Sequence, residues 1–144
     1  MENYFQKVYD LEVICKQEAE LKEMKKKLEV PLLTDKEYIP MIIKWICELS
    51  AENLKSDSFI SDIKKVSIFI ILYLYSPISL ASRKMESGFR SLFAKELAYK
   101  SPSGVTNHLT NDLLFQHKQH PIGREIDRIY PEIIKRLKEK EIIP

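Results

Sequence analysis

The stretch FISDIKKVSIFIILYLY, residues 59–75, decides the fold. Its second part, VSIFIILYLY, is rich in β-branched and aromatic residues and in isolation reads as a strand. Joined to the preceding FISDIKK, it exceeds the length of most strands. Phe59, Ile63, Val66, Ile70 and Leu74 also recur at steps of three and four. No other segment offers a plausible partner strand, so the spacing predicts a buried helix. Ser76-Pro77 ends it, because the residue before a proline is pushed out of the helical region. The apolar run is ten residues and includes Ser67. It is too short to cross a bilayer, which takes about 20 residues.

Upstream, two further helices are expected. Residues 3–28 place Tyr4, Val8, Leu11 and Cys15, then Leu21, Met24 and Leu28, at helical steps without Gly or Pro. Glu18 with Lys22 and Glu23 with Lys27 are i, i+4 pairs in the favourable order. This helix reads either as a solvated face or as a dimerising segment that pairs two copies of the chain. Pro31 breaks it. Thr34 followed by Glu37 matches a capping box, and Pro40 suits the first position of the next helix. Ile42, Ile43, Trp45, Ile46 and Leu49 crowd one face of that helix, with Trp45 read as core. Asn53 to Ser56 reads as a loop, and Asp57 or Ser58 as a cap.

Charge divides the chain. The 144 residues carry a net charge of +2, with 44% apolar, 31% charged and 10% aromatic residues. That composition excludes a disordered tail. Residues 1–76 hold 11 Lys, no Arg and 13 acidic residues, whereas residues 77–144 hold 7 Lys, 5 Arg and 8 acidic residues. All three His and all three Gly are in the second part. Two regions are therefore expected, a helical platform over 1–76 and a basic region over 77–144, which also fit one continuous domain.

Within the basic region, Phe89, Leu92, Phe93 and Leu97 form the stripe of a short helix containing Ala94. After a break at Tyr99-Lys100, Ser101 is a good N-cap and Pro102 suits N1. The next helix, 102–114, buries Val105, Leu109, Leu113 and Leu114, and shows Ser103, Thr106, Asn107, Thr110 and Asn111 on its other face. LFAKELAYKSPSGVTNHL resembles a helix-turn-helix DNA-binding unit. Ala94 takes the alanine position of the first helix, and Val105 the apolar anchor of the second. Ala98 stands where the family has glycine, and the turn is one residue longer than usual. The resemblance spans residues 89–114. It implies double-stranded DNA as partner, with the 102–114 helix in the major groove.

Side-chain chemistry agrees with that assignment. Ser103, Thr106, Asn107 and Thr110 carry the short hydrogen-bonding groups that reach base edges. Arg83, Lys84, Arg90, Lys95, Lys100 and Lys118 are assigned to the phosphate backbone. The competing reading is a polar, solvated helix in a helical bundle that serves as a protein–protein adaptor. His108, His117 and His120 lie within thirteen residues, but no carboxylate or cysteine completes a metal shell at a recognisable spacing. Positions near a helix C-terminus or a phosphate explain them better. A last helix follows from Ile126, Ile129, Tyr130, Ile133, Ile134 and Leu137, kinked or restarted at Pro131.

Nothing suggests catalysis. GxGxxG, GxxxxGK[ST], HExxH and GxSxG are absent, and neither cofactor nor metal is expected. Cys15 and Cys47 lack CxxC spacing and are read as two buried thiols of a reducing cytosol. No basic region followed by an apolar stretch opens the chain, so no signal peptide is expected. The sequence thus predicts an all-α cytoplasmic protein of five to six helices.

Overall fold

The computed structural model describes residues 4–50, 59–97, 113–119 and 121–144. Among these residues the chain is all-α, with seven α-helices and one short 3-10 turn. The α-helices are α1 (Gln6–Leu28), α2 (Ile39–Ser50), α3 (Phe59–Tyr75), α4 (Pro77–Ser82), α5 (Phe89–Glu96), α6 (Leu113–Gln119) and α7 (Pro121–Glu139). That is one helix more than the upper limit of the five to six expected from the sequence. The short α4 and α6 lack the two full turns over which such a stripe becomes visible. Two compact units divide between Val30 and Pro31. The charge step at Ser76-Pro77 therefore lies inside the second unit, whose core includes residues on both sides of it.

The first unit is α1. It buries none of its residues, and its ten large apolar side chains from Tyr4 to Leu28 are all about half exposed or more. Ion pairs run along it at Glu12–Lys16, Glu23–Lys26 and Lys25–Glu29. These replace the expected Glu18–Lys22 and Glu23–Lys27 pairs. Such exposed pairs contribute only tenths of a kcal/mol each, so exchanging one for another costs little (about 0.3–0.5 kcal/mol).

The second unit is built around α3. From Val66 to Ser76 every residue of the chain is buried except Tyr73. Helices α2, α4, α6 and α7 all pack against α3. Ile42 and Ile46 of α2, and Ile129, Ile133 and Leu137 of α7, have no solvent exposure. Trp45 is half-buried, with the Arg136 guanidinium 5.7 Å from its ring centroid. Both cysteines are exposed rather than buried. The helical steps that suggested burial for Cys15 run along a helix with no buried face. At Cys47, partial burial of the thiol and the nearby Glu48 carboxylate raise the pKa.

Hydrogen bonds join the segment before α2 to the end of α3 and shape the turn that follows. The backbone N–H groups of Leu32 and Leu33 both donate to the Leu74 carbonyl, at 2.9 and 3.0 Å. That carbonyl is one of the last in α3 and has no partner inside the helix. The cap ahead of α2 is Asp35, not Thr34, and its carboxylate accepts the Glu37 N–H at 2.9 Å. A two-residue side-chain reach wins over the longer capping box. After α3, the Ser76 and Ser79 hydroxyls meet at 2.8 Å, and Ser79 Oγ accepts the Glu86 N–H at 3.1 Å. Two buried serines thus tie α4 to the turn that leads into α5. At the far end Glu141 has φ +59°, and the Ile142 N–H donates to the Leu137 carbonyl at 3.0 Å. That closes α7 with a Schellman turn.

Tyr75 adds a second tie between the segment before α2 and the end of α3. Its hydroxyl donates to the Asp35 carbonyl at 2.5 Å, and the residue is only 6% exposed. Burial, then the neighbouring Asp35 and Tyr38, push the phenol far above its usual value of 10. The folded chain therefore holds this proton after the unfolded chain has released it. Its contribution is complete below pH 10 and is lost as pH rises beyond it. Tyr75→Phe should lower stability near neutral pH by about 1 kcal/mol, the net value of one hydrogen bond. It should also flatten the alkaline loss. Urea unfolding near neutral pH and above pH 10 checks both, and parallel losses in the two proteins would contradict this role.

Candidate functional site

Two regions of the second unit carry groups that could engage a partner. The first is the basic segment around α5. Arg83 and Lys84 lie in the turn after α4, Arg90 and Lys95 on α5, and Lys118 on α6. All five are exposed. None forms an ion pair among the described residues. Two of the three arginines of α7 contrast with them. Arg128 is bonded to Glu125 at 2.8 Å and to the Leu49 carbonyl at 2.7 Å. Arg136 reaches Glu48 at 3.4 Å.

Arg83 has φ +60°, a left-handed conformation that costs a non-glycine residue roughly 1–2 kcal/mol. Gly88, at φ +93°, opens α5. There Lys36 Nζ stands 4.6 Å from the centroid of the Phe89 ring. Phe89 and Phe93 are buried, and Ala94 is half-buried against the core. The short helix expected from Phe89, Leu92, Phe93 and Leu97 is present as α5, with its apolar face turned inward. Ser103, Thr106, Asn107, Thr110 and Lys100 lie outside the described residues, as do Ala98, Val105, Leu109, His108 and His120. Of the expected 102–114 helix, only Leu113 and Leu114 are described, and they open α6. Leu113 is buried, but Leu114 is 39% exposed, against the expectation of a core position.

Leu114 instead lines the second region, a cavity of about 460 Å³ between α3, α4, α6 and α7. Helical spacing builds each wall. Phe69 and Tyr73 on α3, like Ile126 and Tyr130 on α7, are four residues apart and share a face. Leu114 and His117 do the same at a separation of three on α6, while Pro77, Leu80 and Ala81 of α4 form the remaining side. Tyr73 meets Tyr130 edge to face, with ring centroids 5.3 Å apart. Burial, and then Tyr73, raise the Tyr130 phenol above its usual pKa.

His117 is placed from two sides. Its ring stacks on Phe69 at 4.9 Å, with an interplanar angle of 15°. Its Nε2 lies 2.7 Å from Asp127 Oδ1. An Nε2–H on the ring donates to the carboxylate in this contact. His117 also lies in the last turn of α6, the helix-end position expected for it. Sequence reasoning did not find the cavity, because Tyr73 and Tyr130 fit their apolar stripes and nothing local joins His117 to Asp127. Among the described residues, no group of three or more His, Cys, Asp or Glu side chains could hold a metal ion. No described helix is long and apolar enough to cross a membrane. No family model, curated protein or solved structure matches the chain.

The close approach of α6 and α7 that sets this geometry depends on Gly123. A Cβ built there would land on the backbone carbonyl of His117, and a carbonyl cannot swing away as a side-chain tip can. Gly123→Ala should cost about 1–3 kcal/mol, the range of an overpacked interior, and separate His117 from Asp127. Thermal unfolding and the imidazole NMR signals of His117 check this. An unchanged midpoint with unchanged signals would mean the corner has slack.

Proposed function

We propose that the chain is a sequence-specific DNA-binding protein of the cytoplasm, a transcriptional regulator or an accessory protein of a phage or mobile element. In this reading the 102–114 helix enters the major groove, with Ser103, Thr106, Asn107 and Thr110 at base edges. Arg83, Lys84, Arg90, Lys95, Lys100 and Lys118 hold the phosphates. The observation that carries it is the exposure of Arg83, Lys84, Arg90, Lys95 and Lys118, none of them ion-paired among the described residues. Unpaired cations are free to replace the counterions of a phosphate backbone. Catalysis, cofactors and metals have no part in this function.

Fluorescence anisotropy with duplex DNA over a range of salt concentrations tests it. For six phosphate contacts, log K should fall against log salt with a slope of about −5. Arg90→Ala should weaken all sequences alike and reduce the slope by about 1, whereas Asn107→Ala should change the preferred site. Absence of binding at low salt, or binding with no salt slope, would reject the reading.

A second reading is favoured by α1, whose apolar side chains are exposed along its length. There the chain acts as a protein–protein adaptor, or pairs with a second copy through this helix. Light scattering on the full chain separates these. A mass of two chains that falls to one in Leu21→Asp assigns α1 to a homodimer, and a single-chain mass in the unmodified protein excludes one.

A further inference from the structure

We infer that the cavity between α3, α4, α6 and α7 binds an apolar organic cation, such as a quaternary ammonium compound or a protonated aromatic amine. The site stands on its own, whether or not the chain binds DNA. Its volume, about 460 Å³, falls in the range of small-molecule sites, roughly 300–1,000 Å³.

The lining specifies the charge of the occupant. Three aromatic side chains, Phe69, Tyr73 and Tyr130, lie on its walls together with the His117 ring, and Asp127 is the carboxylate among them. Among the described residues, no lysine or arginine lines the cavity. Ring faces attract cations through their quadrupoles. The edge-to-face arrangement of Tyr73 and Tyr130 gives two ring planes at right angles, so a rounded cation can touch both. Among the described lining residues an anion meets ring faces and a carboxylate, with no lysine or arginine to offset them.

The helices around the cavity point the same way. Tyr73 is the one exposed position between Val66 and Ser76 on the most buried helix of the chain. At 48% exposure, a large aromatic ring on a cavity wall is available to a ligand. Asp127 on α7 supplies the negative charge: a protonated amine can donate to its carboxylate, and a quaternary ammonium benefits from its potential.

The test compares benzyltrimethylammonium, its neutral carbon isostere neopentylbenzene, and benzenesulfonate, titrated into the full chain by calorimetry and by NMR of the aromatic side chains. The cation should bind at least about tenfold more tightly than the isostere, a difference two or three ring contacts can supply, and the sulfonate should not bind. Shifts should centre on Tyr73, Tyr130 and His117. Asp127→Asn, at an exposed residue, should leave the fold intact and reduce cation affinity several-fold without affecting the neutral isostere. Tyr130→Leu keeps an apolar side chain in place and should also weaken the cation selectively. Equal or tighter binding of the isostere would make the cavity merely apolar and overturn the inference. So would absence of cation binding, shifts centred elsewhere, or an Asp127→Asn variant that binds the cation as well as the unmodified chain.

Discussion

Helix α3 is apolar around nearly its whole circumference, and a helix of that kind is stable in water only when neighbours cover every side. The second unit meets this requirement. Helices α2, α4, α6 and α7 are arranged about α3, and their own apolar stripes face it. The core formed in this way extends from Leu33 to Ile143. That one requirement also explains why the charge step after residue 76 is not a structural boundary. The acidic segment supplies the helix to be covered, and the basic segment supplies most of its cover.

Covering a helix on all sides demands close corners, and these are made by backbone groups and small side chains. Ser76 and Ser79 satisfy their hydroxyls against each other, which lets the chain turn sharply behind α3 without burying an unpaired polar group. Leu74 shares its carbonyl with two incoming N–H groups, joining the segment before α2 to the end of α3. Tyr73 is the gap in the cover, and the cavity lies there. Packing elsewhere leaves Arg83, Lys84, Arg90 and Lys95 turned to solvent, since none is needed to close the core. The two arginines tied down on α7 are instead used to join it to α2.

The architecture was legible where one periodic stripe extended over several turns. The 59–75 helix agrees to the residue, because length and proline punctuation outweighed its strand-like composition. The stop at Ser76-Pro77 was equally plain, whereas the last helix, open between a kink and a restart at Pro131, runs unbroken from Pro121 to Glu139. Short helices were less so, since α4 and α6 offer too few residues for a period to appear. The cap at Asp35 competed with a better-known pattern at Thr34, and only the local geometry chose between them. Cys15 shows a different limit, for a helical apolar pattern says that a face exists but not that anything covers it. The basic residues near α5 could be picked out by type. The pairing of His117 with Asp127 could not, since it depends on how tightly two consecutive helices meet.

That meeting point has an evolutionary side. Every missense change in a glycine codon replaces hydrogen with something larger, so drift at Gly123 has no smaller step available. Backbone in the neighbouring helix would have to shift first, by changes that bring no gain until the second change arrives. Surface residues such as Lys84 or Lys118 face no such order of events. A lineage carrying this fold can therefore vary its outward chemistry quickly, while the angle between its last two helices changes only through coordinated substitutions.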